Sequence, residues 1–230
     1  MELTRLPVRA AVFDLDGTLI DTEPRNRVMW ARLFDAHGVP HDEAELASFA
    51  GRRGREVLGD RLHLFPGRTV EELFHEVMAY GADPDMPVPE PVPGAVELVR
   101  ALRGLGVPTA VVTSGISGYA HDLLDVLGVL ELMDLIVTAD DVVVGKPDPE
   151  GYLAAARGLG VPPDEAVAFE DAPAGVAAAR DAGMTVVGIT TTQPSAALRA
   201  AQHVVADLRQ VTVTPGPELR IRDTEEKKDQ

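Results

Sequence analysis

The chain of 230 residues contains no cysteine, and this absence excludes disulfide bonds, zinc-thiolate sites and thiol catalysis. Lysine is scarce: only Lys146 lies in the body of the chain, since Lys227 and Lys228 are at its end. Aromatic residues make up 4%, and no apolar run approaches the roughly 20 residues of a membrane-spanning helix. The first residues lack the apolar segment of a secretory signal, so we expect a cytoplasmic protein that contacts no membrane.

Positive charge is also in deficit. Asp and Glu number 37 against 21 Lys and Arg, which gives a formal net charge of −16. A surface this negative repels nucleic acids and anionic membranes, so neither is an expected partner. An anionic ligand would have to be bound locally, by cations, a metal ion or backbone N–H groups. The 45% of hydrophobic and 25% of charged residues are typical of a folded globular protein.

Helix, glycine and short apolar strand alternate through most of the chain. Predicted helices at 95–105, 150–159 and 174–182 are each followed by a glycine, and two of these glycines lead into VPTAVVT and MTVVGIT. Strands without polar alternation are typical of a parallel sheet that is covered on both faces. The predicted fold class is therefore α/β, a Rossmann-like parallel sheet with helices on both sides. The tail at 215–230 is polar and mixed in charge, and we expect it to be disordered.

Residues 21–90 have a different pattern, and we call them the helical segment. Four amphipathic helices are predicted there, at 24–36, 42–48, 55–64 and 69–80, and no strand is evident in 22–82. Five prolines follow within 83–94 and make that stretch semi-rigid. We interpret 21–90 as a helical domain with hinges at both ends, inserted into an α/β core that consists of 1–20 and 91–214.

Acidic, hydroxyl and basic residues follow separate predicted strands. They are Asp14 and Asp16 in FDLDGT, Thr113 and Ser114 in VVTSG, Lys146 in GKPDPE, and Glu170 and Asp171 in AFEDAPAG. Each motif has an ordinary structural explanation: in order, a solvated acidic loop, a satisfied strand-end hydroxyl, a surface cation and a helix N-cap. Because the carboxyl ends of parallel strands meet at one edge, the four motifs together predict one site. Asp14 and Asp16 would repel each other at this edge unless a cation lies between them. The hydroxyl of Thr18 is expected to orient Asp16 by a hydrogen bond.

These four motifs, in this order, resemble those of the haloacid dehalogenase (HAD) superfamily of phosphotransferases. The helical segment is similar to the small α-helical cap of one of its subfamilies, and FDLDGTLIDTEP and GKPDPE resemble the β-phosphoglucomutase-like phosphatases. The likeness extends to about residue 210. It implies a HAD-like core with a cap, and Mg²⁺-dependent hydrolysis of a small phosphate monoester such as a sugar phosphate. The expected oligomeric state is a monomer or a weak homodimer.

The resemblance also implies a role for each motif. Asp14 would be the nucleophile that becomes an aspartyl-phosphate, and Asp16 the acid and base. Thr113 and Lys146 would hold the phosphoryl group, and the backbone N–H groups of Leu15, Asp16 and Ser114 could surround its oxygens. Mg²⁺ would be held by Asp14, the backbone carbonyl of Asp16, Glu170 and Asp171. Elementary chemistry agrees, because a carboxylate can accept a phosphoryl group and Mg²⁺ prefers oxygen ligands.

The helical segment carries eight arginines and no lysine. Its arginines include three in the glycine-flanked stretch AGRRGRE, which is suited to directing cations toward the core. Arg52 or Arg55 could contact a polar substrate such as a sugar phosphate, or could pair with acids on a solvated helix face. The candidate substrate-binding residues are Thr22, Asn26, Trp30, Gly51, Arg52 and Arg55.

Several other activities are alternatives to a phosphatase. A haloacid dehalogenase needs neither Asp16 nor the acids at 170 and 171, and a phosphonoacetaldehyde hydrolase needs a lysine in the cap. A β-phosphoglucomutase-like mutase has a residue matching Trp30, but this chain has Asn26 where the mutase has a His, and it lacks the mutase's cap lysines. A receiver-type phosphoacceptor and an inactive binding module are further alternatives, and repeated phosphate release distinguishes an enzyme from both.

Overall fold

A parallel sheet of six strands forms the centre of the protein in the computed structural model, which describes residues 3–224. The strands of this and two smaller sheets are, in chain order, β1 (Leu3–Pro7), β2 (Ala10–Phe13), β3 (Ile20–Asp21), β4 (Glu90–Pro91), β5 (Thr109–Val112), β6 (Leu135–Val137), β7 (Ala166–Glu170), β8 (Thr185–Ile189), β9 (His203–Val205), β10 (Val211–Thr214) and β11 (Glu218–Arg222). The α-helices are α1 (Glu23–Ala36), α2 (Glu43–Ala47), α3 (Gly54–Arg61), α4 (Val70–Tyr80), α5 (Ala95–Gly104), α6 (Ser117–Val126), α7 (Glu150–Leu159) and α8 (Pro173–Asp181). The predicted α/β fold is confirmed. None of the helices in residues 3–224 is both long enough and apolar enough to cross a bilayer.

The central sheet has the order β6-β5-β2-β7-β8-β9, and every neighbouring pair is parallel. Successive residues of β2 point to opposite faces: Ala10 and Val12 pack in one hydrophobic cluster, and Ala11 and Phe13 in the other. Both faces are buried, which explains the continuously apolar strands. Since β2 lies between β5 and β7, the residues that follow these three strands meet at one edge of the sheet.

The helical segment has a hydrophobic cluster of its own. Helices α1 to α4 pack around buried side chains that include Phe34, Phe49 and Leu73, and the sequence pattern located all four helices to within about two residues except at the end of the third. That predicted helix is α3 followed by a short 3₁₀ turn at Leu62–Leu64. Where the chain leaves and re-enters the core, β3 and β4 pair with each other in antiparallel fashion.

The prediction of a disordered tail is wrong for the part that forms β11. This strand pairs with β1 and β10 in an antiparallel sheet, and Leu219 and Ile221 are buried. Leu219 and Ile221 alternate with Arg220 and Arg222, so one face of the strand packs inward while the other faces solvent. Residues 225–230, the rest of the predicted tail, lie outside the described residues.

Candidate active site

Side chains from three neighbouring strands and one loop meet at the carboxyl edge of the sheet. Asp14 follows β2, Thr113 follows β5, and Glu170 is the last residue of β7. Lys146 comes from the loop between β6 and α7 and is buried. Its ammonium donates hydrogen bonds to Asp14 Oδ1 (2.5 Å), Glu170 Oε1 (2.6 Å) and the carbonyl of Val112 (3.0 Å). The sequence motifs therefore converge in space, and Lys146 is not a surface cation.

Asp14, Glu170 and Asp171 form a buried group that we call the acid cluster. Each offers one carboxylate oxygen, and these oxygens lie within 4.8 Å of one another. Within residues 3–224, Oδ2 of Asp14 is buried without a hydrogen-bond partner. Three ionised carboxylates around one ammonium carry an excess of two negative charges, which a divalent cation would balance. Carboxylate oxygens are also the donors that hard divalent cations prefer, so the residues fit such an ion.

Burial also controls protonation in the acid cluster. It raises the pKa of Asp14 to about 8, an effect that Lys146 opposes and Glu170 reinforces. Burial, together with the charges of Asp14 and Glu170, raises the pKa of Asp171 well above its usual value. Burial opposes the charged form of Lys146, but the carboxylates of Asp14 and Glu170 outweigh it and raise its pKa. The lysine therefore stays charged, while Asp14 and Asp171 need either a proton or a cation.

Residues that the sequence did not single out hold the acid cluster in place. The hydroxyl of Tyr152 donates to Glu170 Oε1 at 2.6 Å, and the hydroxyl of Thr192 donates to Asp171 Oδ2. A side chain at Gly175 would collide with the Glu170 carboxylate. A usable signal existed for Thr192, because a run of three threonines follows β8 at the same edge of the sheet.

The Asp16 side chain is held by hydroxyl groups, apart from the acid cluster. Its Oδ1 accepts hydrogen bonds from the hydroxyls of Thr22 and Tyr119, each at 2.6 Å, and Asn26 donates to the Thr22 hydroxyl at 3.3 Å. Burial and the charge of Asp16 raise the pKa of Tyr119, so its phenol remains a donor. Of the predicted substrate-binding residues, Thr22 thus contacts the predicted catalytic Asp16, and Asn26 supports Thr22.

The expectation that Thr18 orients Asp16 is wrong. The turn after Asp14 closes with a hydrogen bond from the Thr18 amide to the Leu15 carbonyl (3.3 Å), and the Thr18 hydroxyl lies 3.5 Å from Asp171 Oδ1 instead. Gly17, with φ of +82°, makes this turn, and a side chain there would collide with the Asp171 carboxylate.

Backbone N–H groups at the ends of β2 and β5 are available for binding an anion. Within the described chain, the backbone N–H groups of Leu15, Asp16 and Ser114 donate to no protein acceptor. The hydroxyl of Thr113 accepts a hydrogen bond from the Gly115 amide at 3.0 Å. Unpartnered N–H groups at strand ends are suited to binding the oxygens of an anion.

A cleft of about 730 Å³ lies between the helical segment and the core. Asp14, Asp16 and Asp171 line its core side, whereas Thr113, Lys146 and Glu170 do not line it. All six predicted substrate-binding residues line it: Thr22, Asn26, Trp30, Gly51, Arg52 and Arg55. The structure therefore places these residues around the same space as the predicted catalytic carboxylates.

Arg52 and Arg55 line the cleft but are engaged by acids of the helical segment. Arg52 pairs with Asp60 at 2.7 Å, and Arg55 pairs with Glu71 at 2.8 Å while stacking over Phe74. Of the two alternatives for these arginines, pairing on the helical segment is the one that this structure shows.

Arg53, which was not a candidate, connects the helical segment to the core. Its guanidinium donates to the carbonyls of Ala139 (3.2 Å), Val142 (3.0 Å) and Val143 (3.2 Å) in the loop after β6. Nearby, the Ser114 hydroxyl donates to the carbonyl of Gly51 at 3.0 Å. These contacts close one end of the cleft over the strand ends.

Comparison with known proteins identifies the family. A model of the haloacid dehalogenase-like hydrolases matches residues 8–183. Validoxylamine A 7′-phosphate phosphatase from Streptomyces hygroscopicus subsp. limoneus is 51% identical over 203 residues, which cover 88% of this chain and 95% of that protein. Hexitol phosphatase A from Escherichia coli K12 is 32% identical over 208 residues, which cover 90% of this chain and 94% of that protein. The crystal structure of β-phosphoglucomutase from Clostridium difficile is similar with a TM-score of 0.76 and 26% identity, covering 89% of this chain and 93% of that one. The chain therefore belongs to the haloacid dehalogenase-like hydrolase family, and the predicted enzyme class, a phosphatase of this family, is confirmed.

Proposed function

We propose that the protein is a Mg²⁺-dependent phosphatase that hydrolyses a phosphate monoester of a sugar or sugar-like polyol through an aspartyl-phosphate on Asp14. The observation that carries this proposal is the Asp14 carboxylate at the cleft, bonded to Lys146 within the acid cluster and with one oxygen unpartnered. Two relatives, named as a validoxylamine A 7′-phosphate phosphatase and a hexitol phosphatase, support the substrate class.

In the first step, the Asp14 carboxylate attacks phosphorus and the bond to the substrate oxygen breaks. The N–H groups of Leu15, Asp16 and Ser114 bind the phosphoryl oxygens, with Thr113 beside them. Lys146 joins them by exchanging one of its three present acceptors for a phosphoryl oxygen. Asp14, Glu170 and Asp171, together with the Asp16 carbonyl, would hold Mg²⁺, which neutralises negative charge so that an anionic nucleophile can approach an anionic phosphate.

Asp16 acts on protons in both steps. It donates a proton to the departing alcohol oxygen, and it then accepts a proton from the water that hydrolyses the aspartyl-phosphate. Its carboxylate lines the cleft and is positioned by Thr22 and Tyr119 without belonging to the acid cluster. A carboxyl group held in this way is free to exchange protons with a substrate in the cleft.

We assign residues 21–90 to a cap that encloses the alcohol part of the substrate. The cleft of about 730 Å³ is large enough for a sugar phosphate. Its wall combines an aromatic ring, Trp30, with polar Asn26, which suits a polyhydroxylated ring. Arg52 and Arg55 would take part only by exchanging their acidic partners for substrate oxygens.

The proposal is tested by measuring phosphate release with Mg²⁺ from validoxylamine A 7′-phosphate, sorbitol 6-phosphate, fructose 1-phosphate and β-glucose 1-phosphate. We expect multiple turnovers with at least one of them. Asp14→Asn should abolish release. Asp140→Asn is the matched control, because this exposed acid also lines the cleft but lies outside the acid cluster. Full turnover by Asp14→Asn would contradict the proposal.

The second candidate is a phosphosugar mutase, favoured by the similarity to a β-phosphoglucomutase structure. A mutase must protect the aspartyl-phosphate from water and return the group to the sugar. Glucose 6-phosphate formed from β-glucose 1-phosphate, without free phosphate, would identify it. Release of at most one phosphate per protein would instead indicate a phosphoacceptor. The cytoplasmic location and the monomeric or weakly dimeric state stay predictions, the latter measurable by sedimentation.

A further inference from the structure

Two hydroxyl groups from different parts of the chain hold the same oxygen of Asp16. Thr22 lies at the junction of the core and α1, whereas Tyr119 lies on α6 of the core, and both donate to Oδ1 at 2.6 Å. Among the described residues, no hydrogen bond reaches Oδ2. With Oδ1 occupied by two donors, Oδ2 is the oxygen left to exchange a proton with a ligand in the cleft.

Tyr119 reaches Asp16 because of the turn that precedes its helix. The motif VVTSG ends in Gly115, and a side chain there would come within 2.8 Å of the Tyr119 ring. The absence of a side chain at Gly115 lets the ring lie across the end of β5, and Tyr119 lines the cleft there. The turn at Gly115 therefore helps to fix the position of the phenol.

In the hydrogen bond between Tyr119 and Asp16, the phenol is the donor and the carboxylate is the acceptor. A phenol donates to an ionised carboxylate in a charge-assisted hydrogen bond, which is stronger than a neutral one and fixes the plane of the carboxyl group. When Asp16 is protonated, the two donors to Oδ1 leave the proton on Oδ2. As the oxygen–phosphorus bond breaks, its electron pair goes to the alcohol oxygen, which takes this proton.

We propose that Tyr119 is a positioning residue that aims the Asp16 carboxyl at the leaving oxygen of the substrate. This inference rests on the proposed phosphatase function. The protonation is essential only for a strongly basic leaving group. An alkoxide such as that of glycerol needs it, whereas p-nitrophenolate departs without a proton.

The test compares kcat/KM of Tyr119→Phe with glycerol 1-phosphate and with p-nitrophenyl phosphate, because kcat/KM reports the step in which the leaving group departs. We expect a loss of about tenfold or more with glycerol 1-phosphate, the effect of one hydrogen bond to a charged group. The loss with p-nitrophenyl phosphate should be no more than about twofold. Tyr80→Phe is the matched control, because the Tyr80 hydroxyl bonds to Glu76 on the helical segment.

A second measurement separates positioning from a merely structural role. In an Asp16→Ala background, Tyr119→Phe should cause no further loss with glycerol 1-phosphate, because the group it positions is gone. Equal losses with both esters, no loss with either, or full additivity with Asp16→Ala would overturn the inference while leaving the phosphatase function intact. Absence of turnover by the unchanged protein would overturn both.

Discussion

Removal of the metal ion should make stability depend strongly on pH, because folding raises the pKa of Asp14 from 3.8 to about 8. An acid whose pKa is higher in the folded state binds its proton more tightly there than in the unfolded chain. Between the two pKa values, the folded protein keeps a proton that the unfolded chain has released. The free energy of unfolding of the metal-free protein therefore falls as the pH rises through this window.

The expected magnitude follows from the separation of the two pKa values. At about 1.36 kcal/mol for each pKa unit, that separation corresponds to on the order of 6 kcal/mol. About 3 kcal/mol of this falls between pH 5.5 and 8, which should lower the melting temperature by roughly 6–12 °C in a chain of this length. Mg²⁺ should restore more stability at pH 8 than at pH 5.5, because the ion and the proton compete for the carboxylate of Asp14.

Thermal unfolding in EDTA, and again in Mg²⁺, between pH 5.5 and 8 measures both effects. Asp14→Asn is the matched variant, because the amide keeps the shape of the side chain and does not titrate in this range. Its melting temperature should depend less on pH and should respond less to Mg²⁺, while Asp140→Asn should behave like the unchanged protein. An equally steep pH dependence in Asp14→Asn, or greater stabilisation by Mg²⁺ at pH 5.5, would refute the reasoning.

Three further substitutions test other contacts. Lys146→Met should lower the free energy of unfolding of the metal-free protein by on the order of 3 kcal/mol in urea titrations, because it leaves the buried carboxylates of Asp14 and Glu170 without their positive partner. An unchanged urea midpoint would contradict this. Arg53→Ala, which removes the hydrogen bonds to the loop after β6, should raise KM by about tenfold with little change in kcat, whereas Arg52→Ala should leave KM nearly unchanged. If Arg53→Ala had the KM of the unchanged protein, the bonds of Arg53 would not be needed to close that end of the cleft. Gly175→Ala should displace Glu170 and raise the Mg²⁺ concentration needed for half-maximal activity by about tenfold, and unaltered Mg²⁺ dependence would disprove that packing.

The residues at the carboxyl edge of the sheet could be predicted from sequence because each belongs to a local pattern. Asp14, Thr113 and Glu170 end or follow short apolar strands, and such strands are recognisable without knowledge of their neighbours. In a parallel sheet, the ends of these strands necessarily share an edge, so the local pattern also predicts the convergence. The four helices of the helical segment were predictable for the same reason, since amphipathic periodicity is local.

The features that the sequence did not reveal depend on distant partners. Tyr119 bonds to a residue 103 positions away, and Arg53 bonds to a carbonyl 89 positions away. A carbonyl is present at every residue, so no residue type marks the acceptors of Arg53. Strand β11 was missed because it is short, is surrounded by polar residues, and pairs with β1 at the opposite end of the chain. Its alternation of Leu219 and Ile221 with arginines was the one local signal.

The charge distribution of the site explains how a protein of net charge −16 can bind a phosphate dianion. When all three of its acids are ionised, the acid cluster outweighs the single positive charge of Lys146 by two negative charges, which repel the substrate. Lys146 cannot correct this alone, because its hydrogen bonds are already directed to Asp14, Glu170 and Val112. A bound dication would cancel the excess and leave the N–H groups of the strand ends to attract the phosphate. At a pH at which these acids are ionised, affinity for the substrate should therefore appear only when the metal ion is present.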